Sequence, residues 1–324
     1  MSNVLIIGPD FFGYNESISN AFKNNNWNTD VINYFDGRSM SFTQLISSVF
    51  KPNYFFDINK LNISIDYDLI LVIKGTKISN VKVDELRKYS KSIYLWIMDP
   101  IKLLPEINEK LSLFNKVFTF QKSDIKLLSK TNCKTIYLPL FYDDNIFGIT
   151  RNKKPIDFIF IGNLYEQRAK ELNQFCKLVT ESDENLNIQI YGGFGLLKIL
   201  NYIRIKKQFK YLSRFLKFGL ISPRKSAELY SNSKVGINIH VKSQTGLNMR
   251  FFELLGSGIT QILPNCNIEL NEINIHKDSY ICNELKIKEV VKILNSYVSK
   301  ESNTYIVNHS STNRIKEIID EFNS

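Results

Sequence analysis

The sequence has few of the residues that mark metal sites and disulfide scaffolds. Its four cysteines are far apart, and none belongs to a C-x-x-C pair or a Cys/His cluster. This spacing argues against a zinc site and against a disulfide framework, so we expect free, buried thiols. The cysteines are Cys133, Cys176, Cys266 and Cys282.

Long apolar runs are also missing. No stretch approaches the roughly 20 apolar residues that a membrane-spanning helix needs. The first residues, MSNVLIIGPD, have neither the basic segment nor the cleavage site of a secretory signal. We therefore expect a cytoplasmic protein.

Two phosphate-binding motifs are absent as well. No G-x-x-x-x-G-K-(S/T) sequence occurs, and Gly8 to Gly13 does not have the G-x-G-x-x-G spacing of dinucleotide-binding enzymes. The kinase, GTPase and dehydrogenase interpretations lose their main support.

What is present indicates a folded protein with two cores. The chain has 324 residues, of which 44% are hydrophobic and 23% are charged, a length that suits two domains better than one. The formal net charge is +10. Nucleic acid, an anionic membrane surface and nucleotide phosphates all remain admissible partners.

The first half alternates short apolar strands with helical patterns. Strands that are apolar throughout and separated by helices indicate a parallel sheet covered on both faces, so we expect a doubly wound domain over residues 1–150. The predicted strands are Val4 to Ile7, Leu69 to Ile73, Ile93 to Ile97, Val117 to Phe120 and Thr135 to Leu138.

A polar break at 150–155 precedes a second series of the same kind, which predicts another doubly wound domain over 151–308. A last helical pattern has an apolar stripe formed by Ile315, Ile318, Ile319 and Phe322. The second series of strands comprises Phe158 to Ile161, Ile188 to Tyr191, Val235 to Ile239, Thr260 to Leu263 and Ser279 to Ile281.

The most informative motif is GLNMRFFELLGSG, from Gly246 to Gly258. It predicts a turn, a short helix and a second turn that leads into a strand. We expect the backbone N–H groups around Thr245 to Met249 to be free for a phosphate, with Arg250 adding positive charge and Glu253 accepting from two ribose hydroxyls. Alternatively, Arg250 and Glu253 form a solvated ion pair on an ordinary helix.

This motif resembles the signature of nucleotide-sugar glycosyltransferases of the GT-B fold, most closely the CgeB-like group (spore maturation protein B type). The signature N-x-R-x-F-E-x-L-x-x-G is matched by Asn248, Arg250, Phe252, Glu253, Leu255 and Gly258. Further similar segments are LWIMDP (95–100), YLPLFYDDNIF (137–147), FIFIGNLYEQRAKEL (158–172), LYSNSKVGINIH (229–240) and the pair His309 and Arg314.

The resemblance implies two Rossmann-like domains facing a cleft, with a C-terminal helix, 309–324, that returns to the first domain. It also implies that Gly162, Leu164 and Arg168 form a loop that reaches the donor diphosphate. Because ligands of doubly wound sheets bind beyond the carboxyl ends of the strands, we expect the donor to contact residues after the second-domain strands. The expected donor-binding residues are Gly162, Asn163, Arg168, Gly193, Gly246, Leu247, Asn248, Arg250 and Glu253.

Catalytic candidates follow the same rule. Asp10 and Asp99 come after strands of the first half, and either carboxylate could remove the acceptor proton in an inverting enzyme. Asp99 with Pro100 is equally typical of a turn. His240 could donate to a phosphate or sugar oxygen, or form a structural hydrogen bond. Thr245 stands where many retaining relatives have a second glutamate, so the stereochemical outcome stays open.

No metal or other cofactor is expected. Asp66-Tyr67-Asp68 matches the metal-binding D-x-D of the other major glycosyltransferase fold, but it precedes its predicted strand and therefore lies at the wrong end of the sheet. We interpret it as a turn.

One segment is strongly basic. No acidic residue occurs between Gly193 and Ala227, whereas residues 196–225 combine many lysines and arginines with apolar residues. This pattern suits an anionic membrane surface that carries a lipid-linked acceptor, or a surface helix that is merely basic. No nucleic-acid-binding motif accompanies it, so nucleic acid is not an expected partner.

The sequence thus predicts a metal-independent glycosyltransferase that moves a sugar from a nucleotide-sugar donor to a saccharide or lipid-linked saccharide, in cell-surface polysaccharide biosynthesis. The expected location is the cytoplasm, including the inner face of the cell membrane. The alternatives are a nucleotide-sugar epimerase on the same fold and a non-catalytic basic scaffold that binds membranes or RNA.

Overall fold

The structure of the protein is a computed structural model. It describes residues 1–9, 12–34, 66–129, 133–148, 154–182, 184–192, 198–217, 221–240, 244–264, 279–282, 286–295 and 307–324. The chain divides into two compact units. The first comprises 1–143, 243–247 and 308–324, and the second comprises 144–242 and 248–307.

A parallel sheet of six described strands forms the centre of the first unit, in the order β2-β1-β3-β4-β5-β6. β1, β3, β4 and β5 are buried almost throughout, as the unbroken apolar runs predict. The strands are β1 (Asn3–Pro9), β2 (Asn28–Tyr34), β3 (Leu69–Ile73), β4 (Ile93–Ile97), β5 (Lys116–Thr119) and β6 (Lys134–Tyr137). The helices are α1 (Tyr14–Asn24), α2 (Asn80–Leu86), α3 (Lys122–Leu128) and α10 (Ser311–Asn323).

The second unit repeats this plan with the strand order β12-β11-β10-β7-β8-β9, again parallel. The strands are β7 (Ile156–Ile161), β8 (Ile188–Tyr191), β9 (Leu216–Lys217), β10 (Ser233–Ile237), β11 (Thr260–Pro264) and β12 (Ser279–Cys282). The helices are α4 (Glu166–Thr180), α5 (Lys198–Gln208), α6 (Leu212–Phe215), α7 (Pro223–Ser231), α8 (Met249–Gly256) and α9 (Ile287–Asn295).

Two strands have no counterpart in the sequence prediction. β2 reads NTDVINY, and most of its side chains are exposed or half-buried because it lies at the edge of its sheet. β9 has only two residues. Neither shows the continuous apolar run by which the buried strands are recognised.

The C-terminal helix packs within the first unit, as predicted. Ile315 and Ile318 are fully buried, and Phe322 contacts Trp27 edge to face at 5.4 Å between ring centroids. The Asn25 amide donates to the Thr312 carbonyl at 3.0 Å. The apolar stripe of α10 therefore covers the α1 side of this unit, and the prediction of two Rossmann-like domains with a returning helix is confirmed.

The pair His309 and Arg314 fixes the start of this helix. Arg314 Nη2 lies 2.9 Å from His309 Nδ1, and the same nitrogen donates to the Leu140 carbonyl at 3.4 Å. Burial, together with the Arg314 charge, lowers the pKa of His309 to about 4. The imidazole is therefore neutral at physiological pH and can accept from the guanidinium.

Within the described residues, no helix is both long and apolar enough to cross a membrane. Of the four cysteines, Cys133 and Cys176 are described with their side chains, and both are free thiols. Burial raises the pKa of Cys176 to about 12, so this thiol is inert.

Candidate functional site

The strand order of the second unit determines where a ligand can bind. The chain runs from β7 outward through β8 and β9, and then returns to the other side of β7 to form β10. The connections that leave β7 and β10 therefore diverge, which opens a crevice at the carboxyl ends of these two strands. Gly162 follows β7 directly, and Asn238 follows β10.

Arg250, in the first turn of α8, lies across this crevice. Its Nε donates to the Ile161 carbonyl at 2.6 Å, and its guanidinium carbon lies 4.7 Å from the centroid of the Phe160 ring. A Cβ at position 162 would stand 1.8 Å from Arg250 Nη2. Position 162 must therefore be glycine for the guanidinium to occupy this place.

Arg168, in the first turn of α4, holds the two loops together. Its Nη1 donates to the Asn163 carbonyl at 2.7 Å and its Nη2 donates to the Ile239 carbonyl at 2.8 Å. A cation in the first turn of a helix is disfavoured by the helix dipole, so Arg168 needs another reason to stand there. These two carbonyls, one after each strand, give the physical reason.

The loop between Gly162 and α4 is tightly packed. Leu164 is buried, and a Cβ at Gly192 would lie 2.3 Å from its side chain. Gly192, which directly follows β8, therefore leaves space for Leu164 to lie over the end of the sheet. Packing therefore explains two members of the predicted loop: Leu164 fits over Gly192, and Gly162 leaves room for the Arg250 guanidinium. Arg168 is the charged member of this loop.

The two arginines concentrate positive charge at the crevice, with Arg168 buried and Arg250 half-buried. Burial, and then the charge of Arg250, lower the pKa of Arg168 to about 9. Tyr165 and the Glu171 carboxylate favour the charged form of Arg168, but more weakly than burial and the Arg250 charge oppose it. Among the described residues, Arg168 Nε and the Tyr165 hydroxyl are buried without a hydrogen-bond partner. An anion would offset these electrostatic and hydrogen-bonding costs together.

Three side chains after β10 fix the start of α8. Asn248 caps the helix by accepting from the Phe251 N–H at 2.9 Å, and it exchanges amide hydrogen bonds of 3.0 and 3.2 Å with Asn238. His240 Nε2 lies 3.5 Å from the Asn248 nitrogen. Burial, followed by the charges of Arg250 and Arg168, lowers the pKa of His240 to about 3. His240 is therefore a neutral acceptor here and a weak base.

Glu253 is one helical turn beyond Arg250 and is half-buried. Its charge acts on Tyr230, whose hydroxyl is also hydrogen bonded to Arg250. Burial is the main cause that raises the pKa of Tyr230 far above its usual value, with Glu253 second. The tyrosine therefore stays protonated and holds the Arg250 end of α8.

The backbone N–H groups before α8 differ from the sequence expectation. The helix begins at Met249, and the Thr245 and Gly246 N–H groups donate to Gln121 Oε1 at 2.8 and 3.2 Å. The expectation that they are free for a phosphate was wrong, because a buried side chain of the first unit already occupies them. Leu247 is buried and belongs to the same unit.

Gly246 has a packing reason of its own. A Cβ there would lie 2.5 Å from the Phe120 carbonyl oxygen. Gln121 is in turn held by Asp124, which accepts from the Gln121 amide at 3.1 Å and from the Ile101 N–H at 3.0 Å. The loop 244–247 is thus fastened to the ends of β4 and β5 within the first unit.

The acceptor-side candidates lie in the first unit. Asp99 forms an ion pair of 2.9 Å with Lys74, whose side chain is 7% exposed while that of Asp99 is 35% exposed. Asp10 and the donor-site candidate Gly193 lie outside the described residues. Asp66 and Asp68 precede β3, and Asp68 accepts from the Asn3 N–H at 2.7 Å. The described residues bring together no group of three or more potential metal ligands.

Sequence reasoning missed three residues of the second-unit site. Asn238 was placed inside a strand predicted to end at Ile239, whereas β10 ends at Ile237. No sequence motif identifies Tyr165 or Tyr230 as site residues. The polar side chain within the otherwise apolar run VGINIH was the signal that could have identified Asn238.

No family model matches the sequence, and no curated protein matches it. Solved structures do share its fold. A sucrose-phosphate synthase from Thermosynechococcus elongatus has a TM-score of 0.67 at 10% identity, with 99% of each chain covered. A glycosyltransferase involved in avilamycin A biosynthesis has a TM-score of 0.64 at 9% identity, covering 100% of this chain and 97% of its own.

A UDP-GlcNAc 2-epimerase from Methanocaldococcus jannaschii is also similar, with a TM-score of 0.59 and 12% identity over 99% of this chain and 100% of its own. At these identities the likeness shows the fold alone. The chain therefore has two parallel-sheet α/β domains of the Rossmann type, consistent with the GT-B fold.

Proposed function

We propose that this protein is a glycosyltransferase that moves a sugar from a nucleotide-sugar donor to a saccharide or a lipid-linked saccharide. The observation that carries the proposal is the pair of guanidiniums at the crevice between β7 and β10, that of Arg168 buried and that of Arg250 half-buried. The resemblance of the α8 motif to CgeB-like glycosyltransferases supports the same function. So does the likeness of the whole chain to solved glycosyltransferase structures.

The chemistry of sugar transfer explains why positive charge is useful in this place. As the bond from the sugar to the diphosphate breaks, negative charge accumulates on the departing oxygen. Fixed cations aimed at that oxygen stabilise the transition state more than the ground state. In the proposed complex, Arg168 and Arg250 neutralise the diphosphate, so a divalent metal is not needed.

Other groups complete the proposed donor site. Glu253 accepts hydrogen bonds from the two ribose hydroxyls, and the Tyr165 hydroxyl supplies a donor that is unpaired in the structure. Gly162 leaves room for the Arg250 guanidinium beside the diphosphate, and Asn163 follows it in the loop that borders the proposed diphosphate site. Asn238, Asn248 and His240 keep α8 in place. The acceptor proton is removed by a first-unit carboxylate, for which Asp10 and Asp99 are the candidates.

The rival enzyme function is epimerisation of a nucleotide sugar, which the likeness to the UDP-GlcNAc 2-epimerase structure favours. Both functions use a nucleoside-diphosphate site. They differ in their product, because only the transferase needs an acceptor. We place the proposed reaction in cell-surface polysaccharide biosynthesis on the cytoplasmic side of the membrane, in agreement with the basic segment described below.

Product analysis tests the function directly. The purified protein is incubated with a panel of nucleotide sugars, with and without saccharide and lipid-linked saccharide acceptors, in the presence of excess EDTA. We expect acceptor-dependent release of nucleoside diphosphate that persists in the chelator, because arginines supply the positive charge. A changed sugar configuration without acceptor would establish the epimerase instead. Activity that requires added magnesium or manganese would contradict metal independence.

A glycine substitution tests the position of Arg250. Gly162→Ala places a methyl group where Arg250 Nη2 lies, 1.8 Å away, so the guanidinium must move. We expect nucleoside-diphosphate affinity to fall by about 1.5–3 kcal/mol, the range for hydrogen bonds to charged groups, as in Arg250→Ala. Titration calorimetry measures both variants.

The double variant Gly162→Ala/Arg250→Ala completes a double-mutant cycle and serves as its control. If the methyl group acts only through Arg250, Gly162→Ala costs nothing further once Arg250 is alanine. An equal additional loss in the Arg250→Ala background would show that Gly162 acts in another way, and the assignment of Arg250 would lose this support.

A ribose analogue tests Glu253. Glu253→Ala should weaken binding of a ribonucleoside diphosphate by about 2 kcal/mol, roughly 30-fold, because a charge-assisted hydrogen-bonded pair is lost. The 2′,3′-dideoxy analogue has no hydroxyls to bind, so its affinity should be the same for the wild type and the variant. Glu289→Ala, an exposed glutamate of α9 in the same unit, is the matched control. Equal losses for both nucleotides would refute the ribose contact.

A further inference from the structure

The basic segment predicted from the sequence forms an exposed surface on the second unit. Its described part covers 198–217 and 221–225. α5 and α6 are attached to the core of this unit by Ile205, Phe209 and Leu212, all of which are buried. The opposite side of α5 consequently faces solvent.

The exposed side of α5 is both apolar and basic. Leu200, Ile203, Arg204 and Lys207 follow the spacing i, i+3, i+4, i+7 and therefore form one stripe along the helix. Leu200 is 59% exposed and Ile203 is 43% exposed. Exposed apolar residues beside exposed cations on one helix face are the pattern of a helix that lies in a membrane interface.

The charge of this surface has one sign. Between Lys198 and Lys217 the chain has no acidic residue, and the described side chains of its six other basic positions are all exposed. Two neighbouring carboxylates lie on or directly after α4; the Arg204 charge acts on Glu166, and Glu181 accepts from the Tyr211 hydroxyl at 3.3 Å. Glu166 pairs with Lys170 at 2.6 Å, and Glu181 lies 3.9 Å from Lys177. The six positions are Arg204, Lys206, Lys207, Lys210, Arg214 and Lys217.

The aromatic residues of the surface are covered by cations. Lys206 Nζ lies 5.1 Å from the centroid of the Tyr202 ring, and the Arg214 guanidinium lies 5.8 Å from that of Tyr211. Stacking of single-stranded bases needs open aromatic faces. Tyrosine, lysine and arginine side chains, each with an apolar body and a polar end, suit a polar–apolar boundary.

We propose that α5 and α6 dock this protein on an anionic lipid surface, with Leu200 and Ile203 inserted among the acyl chains and the surrounding lysines and arginines on the headgroups. The charge complementarity and the exposed apolar pair carry this proposal together. It concerns a surface separate from the β7–β10 crevice and does not depend on the proposed transferase activity. Docking would hold the second unit beside acceptors that are embedded in the membrane.

Vesicle binding by the full chain tests the charge. Partition onto vesicles of phosphatidylglycerol and phosphatidylcholine is compared for the wild type, for Lys206→Gln/Lys207→Gln/Lys210→Gln, and for Lys23→Gln/Lys88→Gln/Lys126→Gln. The last variant removes the same charge at exposed lysines of the first unit. At about 1 kcal/mol for each lysine, we expect the Lys206/Lys207/Lys210 variant to bind on the order of 100-fold more weakly, and the control to bind nearly as the wild type.

A second pair of variants tests insertion. Leu200→Ser/Ile203→Ser should reduce partition about tenfold, because partly exposed apolar side chains no longer leave water. The matched control is Val81→Ser/Leu127→Ser, which changes two exposed apolar residues of the first unit. Circular dichroism of each variant verifies folding. The proposal would be overturned if the lysine variant and the Leu200→Ser/Ile203→Ser variant bound vesicles as tightly as the wild type. It would also be overturned if the wild type bound purely phosphatidylcholine vesicles as tightly as anionic ones.

Single-stranded RNA labelled with a fluorophore serves as the competing probe. We expect weak, salt-sensitive RNA binding that is unchanged by Leu200→Ser/Ile203→Ser. RNA binding tighter than vesicle binding, lost in the lysine variant, would show instead that this surface binds nucleic acid.

Discussion

Two cations held against one aromatic ring are the feature on which the second unit depends. Arg168 and Arg250 both lie within cation–π distance of Phe160, at 5.7 and 4.7 Å from its centroid. Each also ties a loop to a strand end through backbone carbonyls. Placing two like charges close together and partly away from water has an unfavourable free energy. The second unit tolerates the two guanidiniums because backbone carbonyl oxygens accept their hydrogen bonds. A bound diphosphate would add the negative charge that balances them.

The position of this pair follows from topology. In the order β12-β11-β10-β7-β8-β9, the strands after β7 are added on one side of it and the strands from β10 onward on the other. The loops that follow β7 and β10 therefore separate, and polar groups lie between them. Small residues then decide what fits. Gly162 admits the Arg250 guanidinium and Gly192 admits Leu164. Packing at these two glycines therefore determines where the charged groups lie, so Gly162 and Gly192 matter as much as Arg168 and Arg250.

The sequence predicted the buried strands well, but it did not predict the hydrogen bonds between residues that are far apart in the chain. β3 and β4 agree with the predicted bounds because unbroken apolar runs identify strands covered on both faces, and β8 agrees as well, although its residues alternate between buried and half-buried. The exposed edge strand β2 lacks that signal. Arg168 and Arg250 were recognised from residue type and spacing, whereas the capture of the Thr245 and Gly246 N–H groups by Gln121 was not. Gln121 is more than 100 residues away in sequence, and no local pattern reports such a contact.

The central claim is that the corner formed by Arg168 and Arg250 binds a diphosphate. Calorimetric titration of the wild-type protein with a nucleoside, its monophosphate and its diphosphate measures this most directly. The account predicts that affinity rises with each phosphate and that the gain for the diphosphate shrinks as salt is added, since fixed positive charge attracts it. Equal affinity for the nucleoside and its diphosphate, in all salt concentrations, would contradict it.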